Sequence, residues 1–124
     1  MTKKKILVIE DNEQNLYLTT FLLEKEDYEV VQARDGQQGI ELAISENPDL
    51  ILLDIQLPVM DGHEVARRLK QAGETRAIPV VAVTSYAMAG DRETILATGC
   101  EGYIEKPIDP DSFVEQVRRF LPQR

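Results

Sequence analysis

Three short runs in this chain are apolar without alternation: the first within Lys4–Glu10 (KKILVIE), the second Leu50–Leu53 (LILL) and the third Val80–Val83 (VVAV). A strand with one wet face alternates apolar and polar side chains, whereas one buried on both faces need not. Runs of this length and composition suit central strands of a parallel sheet covered by helices on each side. The segments between them carry helical spacing, and the connections are short. Alternation of this kind leads to a doubly wound α/β sheet.

Along the whole chain apolar runs alternate with helical patterns five times, with no internal repeat. Lys4–Glu10 is expected as the first strand, followed by a helix over Glu13–Glu26 with Leu18, Phe21 and Leu22 facing inward. Glu29–Ala33 is the second strand. Asp35 caps a helix running to Glu46, with Gln38 as its capping-box partner and Ile40, Ala43 and Ile44 as the inner stripe. Asn47-Pro48 breaks that helix, and Asp49–Asp54 forms the third strand. After a loop around Pro58, Asp61 and Glu64 cap a helix reaching Ala72. The fourth strand is Val80–Thr84. A loop over Ser85–Gly90 then leads to a helix over Asp91–Thr98, stopped by Gly99. Gly102–Glu105 is the fifth strand. Asp109-Pro110 opens a last helix to Leu121, with Pro110 as first helical residue and Phe113, Val117 and Phe120 inward.

At 124 residues, the chain is expected to be one domain, residues 1–124. Its 43% apolar content is too rich for disorder. No apolar stretch approaches the roughly 18 residues of a membrane helix. The basic start, Met1-Thr2-Lys3-Lys4-Lys5, precedes an apolar run that stops at two acids. That reads as a strand rather than a signal peptide, so a cytoplasmic protein without membrane insertion is expected. The one cysteine, Cys100, excludes an intrachain disulfide and a cysteine zinc site, and beside Gly99 it suits a small buried position. A net charge of −8 argues against direct contact with nucleic acid.

The chemistry lies at the strand ends. The first strand runs into Glu10-Asp11, the third into Asp54, the fourth into Thr84 and the fifth into Lys106-Pro107. In an open parallel sheet all of these project from the carboxyl edge, where such folds place their ligands. Carboxylate oxygens from Glu10, Asp11 and Asp54 suit a hard divalent cation such as Mg²⁺. Without one, two like charges about 4 Å apart repel by roughly 4 kcal/mol at an effective dielectric near 20. Glu10 and Asp11 alone would also suit a helix cap. Asp54 has no such role, because a loop beginning Ile55-Gln56 follows it. A carboxylate beside Mg²⁺ can attack a phosphoryl group, and Lys106 and Thr84 supply the ammonium and hydroxyl that its oxygens need.

These residues resemble those of the response regulator receiver domains of two-component systems, the CheY-like superfamily. Glu10-Asp11 matches the family's acidic pair, Asp54 its phosphoacceptor, and Leu57-Pro58-Val59-Met60-Asp61-Gly62 the loop after it. Thr84 matches the switch hydroxyl, Tyr103 the switch aromatic, and Lys106-Pro107 the lysine with its cis-prolyl bond. Thr84–Asp91 (TSYAMAGD) and Gly99–Ile108 (GCEGYIEKPI) look closest to single-domain cell-division regulators, and receivers of hybrid histidine kinases carry similar stretches.

The resemblance implies a flavodoxin-like fold with strand order 2-1-3-4-5, and a signalling switch rather than an enzyme. A sensor histidine kinase or histidine phosphotransfer protein would donate a phosphoryl group to Asp54. Mg²⁺, or Mn²⁺ in its place, would be held by Asp11, Asp54 and the main-chain carbonyl of Gln56, with Glu10 acting through water. Lys106 and Thr84 would bind phosphoryl oxygens. Tyr103 would turn into the space Thr84 leaves, altering the face of the fourth helix, fifth strand and fifth helix that a target protein reads. Gln56 and Tyr86, two residues beyond Asp54 and Thr84, sit where they can tune hydrolysis, and Tyr86 predicts slow loss of the phosphoryl group.

Rival readings meet specific obstacles. The haloacid-dehalogenase class wants a second acid two residues after its nucleophile, where this chain has Gln56. A flavodoxin-type FMN carrier wants a hydroxyl-rich phosphate loop where Glu10-Asp11 stands. No GxGxxG follows any strand, and an adaptor that never takes phosphate would not need the full set. His63, Met60, Met88, Arg118 and Arg119 read as ordinary surface or packing residues, and Gly62 and Gly99 as turn residues.

Overall fold

Apolar strands that must be covered twice need helices on both sides, and the computed structural model has that arrangement. It describes residues 3–57, 60–85 and 89–122, so Pro58, Val59, Tyr86 and Met88 lie outside the described residues. In chain order the elements are β1 (Lys5–Ile9), α1 (Glu13–Lys25), β2 (Glu29–Ala33), α2 (Gly36–Glu46), β3 (Leu50–Asp54), α3 (Gly62–Gln71), β4 (Val80–Thr84), α4 (Ala89–Ala97), β5 (Gly102–Glu105) and α5 (Phe113–Arg118). The strands form one parallel sheet in the order β2-β1-β3-β4-β5. This is the expected topology. Among the described residues, no helix is long and apolar enough to cross a membrane.

Alternate residues of the central strands enter two separate cores. Leu7, Ile9, Ile51, Leu53, Val80 and Ala82 pack with Ala43, Val65, Ala66, Leu69 and Ile95 on the α2–α3–α4 side. Ile6, Val8, Leu50, Leu52, Val81 and Val83 pack with Leu16, Leu23, Phe113 and Val117 on the α1–α5 side. Every residue of β3 and β4 is buried, which is why their sequence does not alternate. β2 is an edge strand, and only its Ala33 is buried.

Helix phase and helix ends depart from expectation in four places. The buried row of α1 is Leu16, Thr19, Leu22 and Leu23, and Phe21 is 51% exposed, stacked on the exposed Tyr17 with ring centroids 6.3 Å apart. In α2 the buried row is Gly36, Gly39 and Ala43, while Ile44 is 46% exposed. The cause is close approach: a Cβ on Gly39 would stand 2.4 Å from Ile9 Cδ1, so the helix meets the sheet through small residues and carries Ile44 past the contact. α4 starts two residues earlier than expected, at Ala89.

The last helix, α5, begins at Phe113 rather than at Pro110. Asp109 holds residues 110–112 in a turn: its side chain accepts from Asp111 N at 3.0 Å and from Ser112 Oγ at 3.2 Å. Its carbonyl accepts from Ser112 N and Phe113 N. A carboxylate that bonds the backbone just after it competes with helix in this way. Phe113 and Val117 are buried as expected. Cys100 is also buried, and burial raises its thiol pKa above the usual value.

Candidate functional site

The register of the sheet brings the chosen strand ends level. Ile9 pairs with Leu53, Asp54 with Val83 and Thr84 with Glu105, so Glu10, Asp54, Thr84 and Lys106 lie along one edge. A backbone bond from Lys106 N to Thr84 O, 2.8 Å, carries the alignment past the end of β5. The Lys106–Pro107 peptide bond is cis.

Glu10, Asp11 and Asp54 each offer a carboxylate oxygen, and these atoms lie within 4.8 Å of one another. Glu10 and Asp54 are buried and Asp11 is exposed. Lys106 Nζ stands 3.2 Å from Asp54 Oδ1 and 3.4 Å from Glu10 Oε1. Asp54 Oδ1 also accepts from Gln56 N at 2.9 Å, and Glu10 Oε2 accepts from Asn12 N at 3.2 Å. Among the described residues one ammonium stands against three carboxylates, and the imbalance shows on Glu10. Burial above all, then a hydrogen bond and repulsion from Asp54, push its carboxyl up to about 7 from a usual 4.5, against the pull of Lys106. An all-oxygen set with surplus negative charge fits a hard divalent cation and no soft metal.

Helix capping does not account for the two acids. Asn12 is the N-cap of α1 and accepts from Asn15 N at 2.9 Å. Thr84 is fully buried. Tyr103 is half-buried against the α3–α4 core, with the Arg92 guanidinium of α4 5.3 Å from its ring centroid. Gln56 is exposed, and its Oε1 accepts from Ser85 Oγ at 2.9 Å, joining the loop after β3 to the loop after β4. Tyr86, the other position singled out for hydrolysis, lies outside the described residues.

Two residues at the site were missed or misread in the sequence. Gly62 is not a turn residue but the first residue of α3. It lets α3 press on the backbone behind Asp54, where a Cβ would meet Ile55 Cα at 2.4 Å and Asp54 O at 2.7 Å. Only the requirement for a missing side chain marks it, and one sequence does not reveal why. Ser85 gives no signal beyond following Thr84. Gly99, by contrast, has φ +100 and does serve a turn. His63 is half-buried with Nδ1 3.7 Å from Asp61 Oδ1, at the start of α3.

Fold and site together define a receiver-type signalling domain. The family model described as "Response regulator receiver domain" matches residues 6–118, and the chain belongs to that family. The polar-differentiation response regulator DivK of Brucella anthropi is 47% identical over 118 residues, 95% of this chain and 96% of that protein. The receiver domain of a sensor histidine kinase from Pseudomonas aeruginosa was solved with a magnesium ion coordinated in its active site cleft. It is 32% identical, with a TM-score of 0.87, covering 96% of this chain and 98% of that one. The chemotaxis response regulator CheY4 of Vibrio cholerae has a TM-score of 0.92 at 25% identity, covering 97% of this chain and 100% of that one.

Proposed function

We infer that this chain is a phosphorylation switch, with Asp54 as the residue that accepts the phosphoryl group. The observation that supports it most is Asp54 itself: a buried carboxylate at the end of an apolar strand, 3.2 Å from Lys106 Nζ and clustered with Glu10 and Asp11. Asp11, Asp54 and the main-chain carbonyl of Gln56 are the residues that would hold Mg²⁺ (or Mn²⁺), with Glu10 acting through water. The ion supplies charge neutralisation for carboxylates and phosphoryl oxygens alike.

The phosphoryl donor is a phosphohistidine on a sensor kinase or phosphotransfer protein. An Asp54 carboxylate oxygen forms the bond to phosphorus as the bond to the histidine nitrogen breaks, and the electron pair leaves with the imidazole. Lys106 steadies one phosphoryl oxygen and Thr84 bonds another. Tyr103 follows Thr84 inward and changes the α4–β5–α5 face, where a target protein binds. This is a local charge biasing a two-state surface. The chain acts inside the cell, touches no nucleic acid directly and serves signalling rather than turnover. Gln56 and Tyr86 flank the attacking water and tune its reaction, and Tyr86, which offers no carboxylate to orient that water, keeps self-dephosphorylation slow.

Intact-protein mass after incubation with acetyl phosphate tests the reading. One added phosphoryl group is expected in wild type with Mg²⁺, and none without Mg²⁺ or in Asp54→Asn. An adduct that persists in Asp54→Asn overturns the assignment.

A further inference from the structure

We propose that Arg92 is a positioning residue: it holds the Tyr103 ring against α4 and so sets how readily the domain passes to its phosphorylated arrangement. The inference rests on the proposed switch through Asp54 and Thr84. β5 sets Tyr103 beside Ala82 of β4, and Thr84 lies level with Glu105. Ile104 enters the α1–α5 core, whereas its neighbour Tyr103 packs half-buried on the α2–α3–α4 side. There the Arg92 guanidinium carbon stands over the ring, 5.3 Å from its centroid. That is inside the roughly 6 Å at which a guanidinium is drawn to the negative face of an aromatic ring. Arg92 is exposed, and the buried Ile95 fixes the next turn of α4 to the core. The helix thus carries the cation to Tyr103 while leaving it in water.

The Tyr103 ring in this structure has apolar neighbours beneath it and a cation above. A turn toward Thr84 takes the ring away from that cation, so the attraction belongs to one of the two arrangements only. An interaction made in one state alone shifts the balance between the states by its own size. For a cation over an aromatic ring at an exposed position, the shift is about 2- to 5-fold. Arg92 works through Tyr103 and opposes the switch; a phosphoryl group must overcome it.

The test uses the full chain with Mg²⁺ and beryllium trifluoride, a stable stand-in for the phosphoryl group, and with 3-fluorotyrosine replacing tyrosine. The fluorine resonance of Tyr103, assigned by its loss in Tyr103→Leu, reports the surroundings of the ring. The beryllium trifluoride concentration at half-saturation reports the ease of the switch. Arg92→Gln removes the charge and keeps a good helix former. It is expected to lower that midpoint about 2- to 5-fold, and to move the Tyr103 resonance of the free chain toward its position at saturation. Arg92→Lys keeps a cation and is expected to fall between the two. In a Tyr103→Leu background, Arg92→Gln is expected to bring no tightening. An Arg92→Gln midpoint equal to or above that of wild type overturns the inference. So does a lowered midpoint that persists without the Tyr103 ring, since Arg92 would then act by another route. If wild type neither binds beryllium trifluoride nor takes label from acetyl phosphate, the phosphorylation reading fails and this inference falls with it. Binding with unchanged midpoints defeats the inference alone.

Discussion

Glu10 makes the cost of the acid cluster measurable. The residue is 4% exposed, and its carboxyl is pushed up to about 7 in the folded, metal-free chain from a usual 4.5. A carboxyl with a raised folded value keeps its proton when folded and sheds it earlier when unfolded. Stability from this group is therefore complete below pH 4.5 and is lost as pH rises through 7. At 1.36 kcal/mol per pH unit, that interval amounts to about 3 kcal/mol. Glu10→Gln keeps the shape and the acceptor for Asn12 N but has no proton to lose. In EDTA, the stability of the variant minus that of wild type is expected to grow by about 3 kcal/mol between pH 4.5 and pH 8. At a urea slope of about 1–3 kcal/mol/M, the two unfolding midpoints separate by about 1–3 M more at the upper pH. Groups remote from the acid cluster cancel in the difference. Mg²⁺ should shrink it, because a bound cation favours the ionised carboxylate. A difference that stays constant from pH 4.5 to pH 8 would refute the reasoning.

Other expectations are simpler. Lys106→Met removes the ammonium 3.2 Å from Asp54 and is expected to slow labelling by acetyl phosphate about 100-fold, the scale for losing one preorganised partner of transition-state charge; intact mass against time measures it. Gly62→Ala sets a Cβ against rigid backbone behind Asp54, so a loss of about 1–3 kcal/mol is expected in urea unfolding, together with slower labelling. Phe113→Ala, at a fully buried position between α5 and the sheet, is expected to cost about 3–5 kcal/mol.

The sheet was legible because its central strands must satisfy one demand: apolar side chains on both faces at every position. Asp54 stood out for the same reason, as a carboxylate closing a run that otherwise holds none. Placement of Glu10, Thr84 and Lys106 followed from strand ends sharing an edge. The helices were harder to read. Phe21 and Ile44 are apolar and near the inward row, yet the phase of a helix depends on how close it approaches the sheet. In α2 the distance is set by Gly39 against Ile9, a contact between residues thirty positions apart. The start of α5 turned on hydrogen bonds within residues 109–113, where Asp109 competes with helix. Ser85 was invisible because its partner, Gln56, lies on another loop and only the folded sheet brings them together.

The central claim is that Asp54 itself carries the phosphoryl group, and chemical trapping tests it at the residue. An acyl phosphate is reduced by borohydride to the alcohol, which turns aspartate into homoserine, and peptide mass spectrometry locates the change. After incubation with a phosphodonor and Mg²⁺, homoserine is expected at position 54 and at no other acid. Homoserine at Asp11, 5-hydroxynorvaline at Glu10, or a phosphoryl adduct that leaves Asp54 unreduced, would contradict the account.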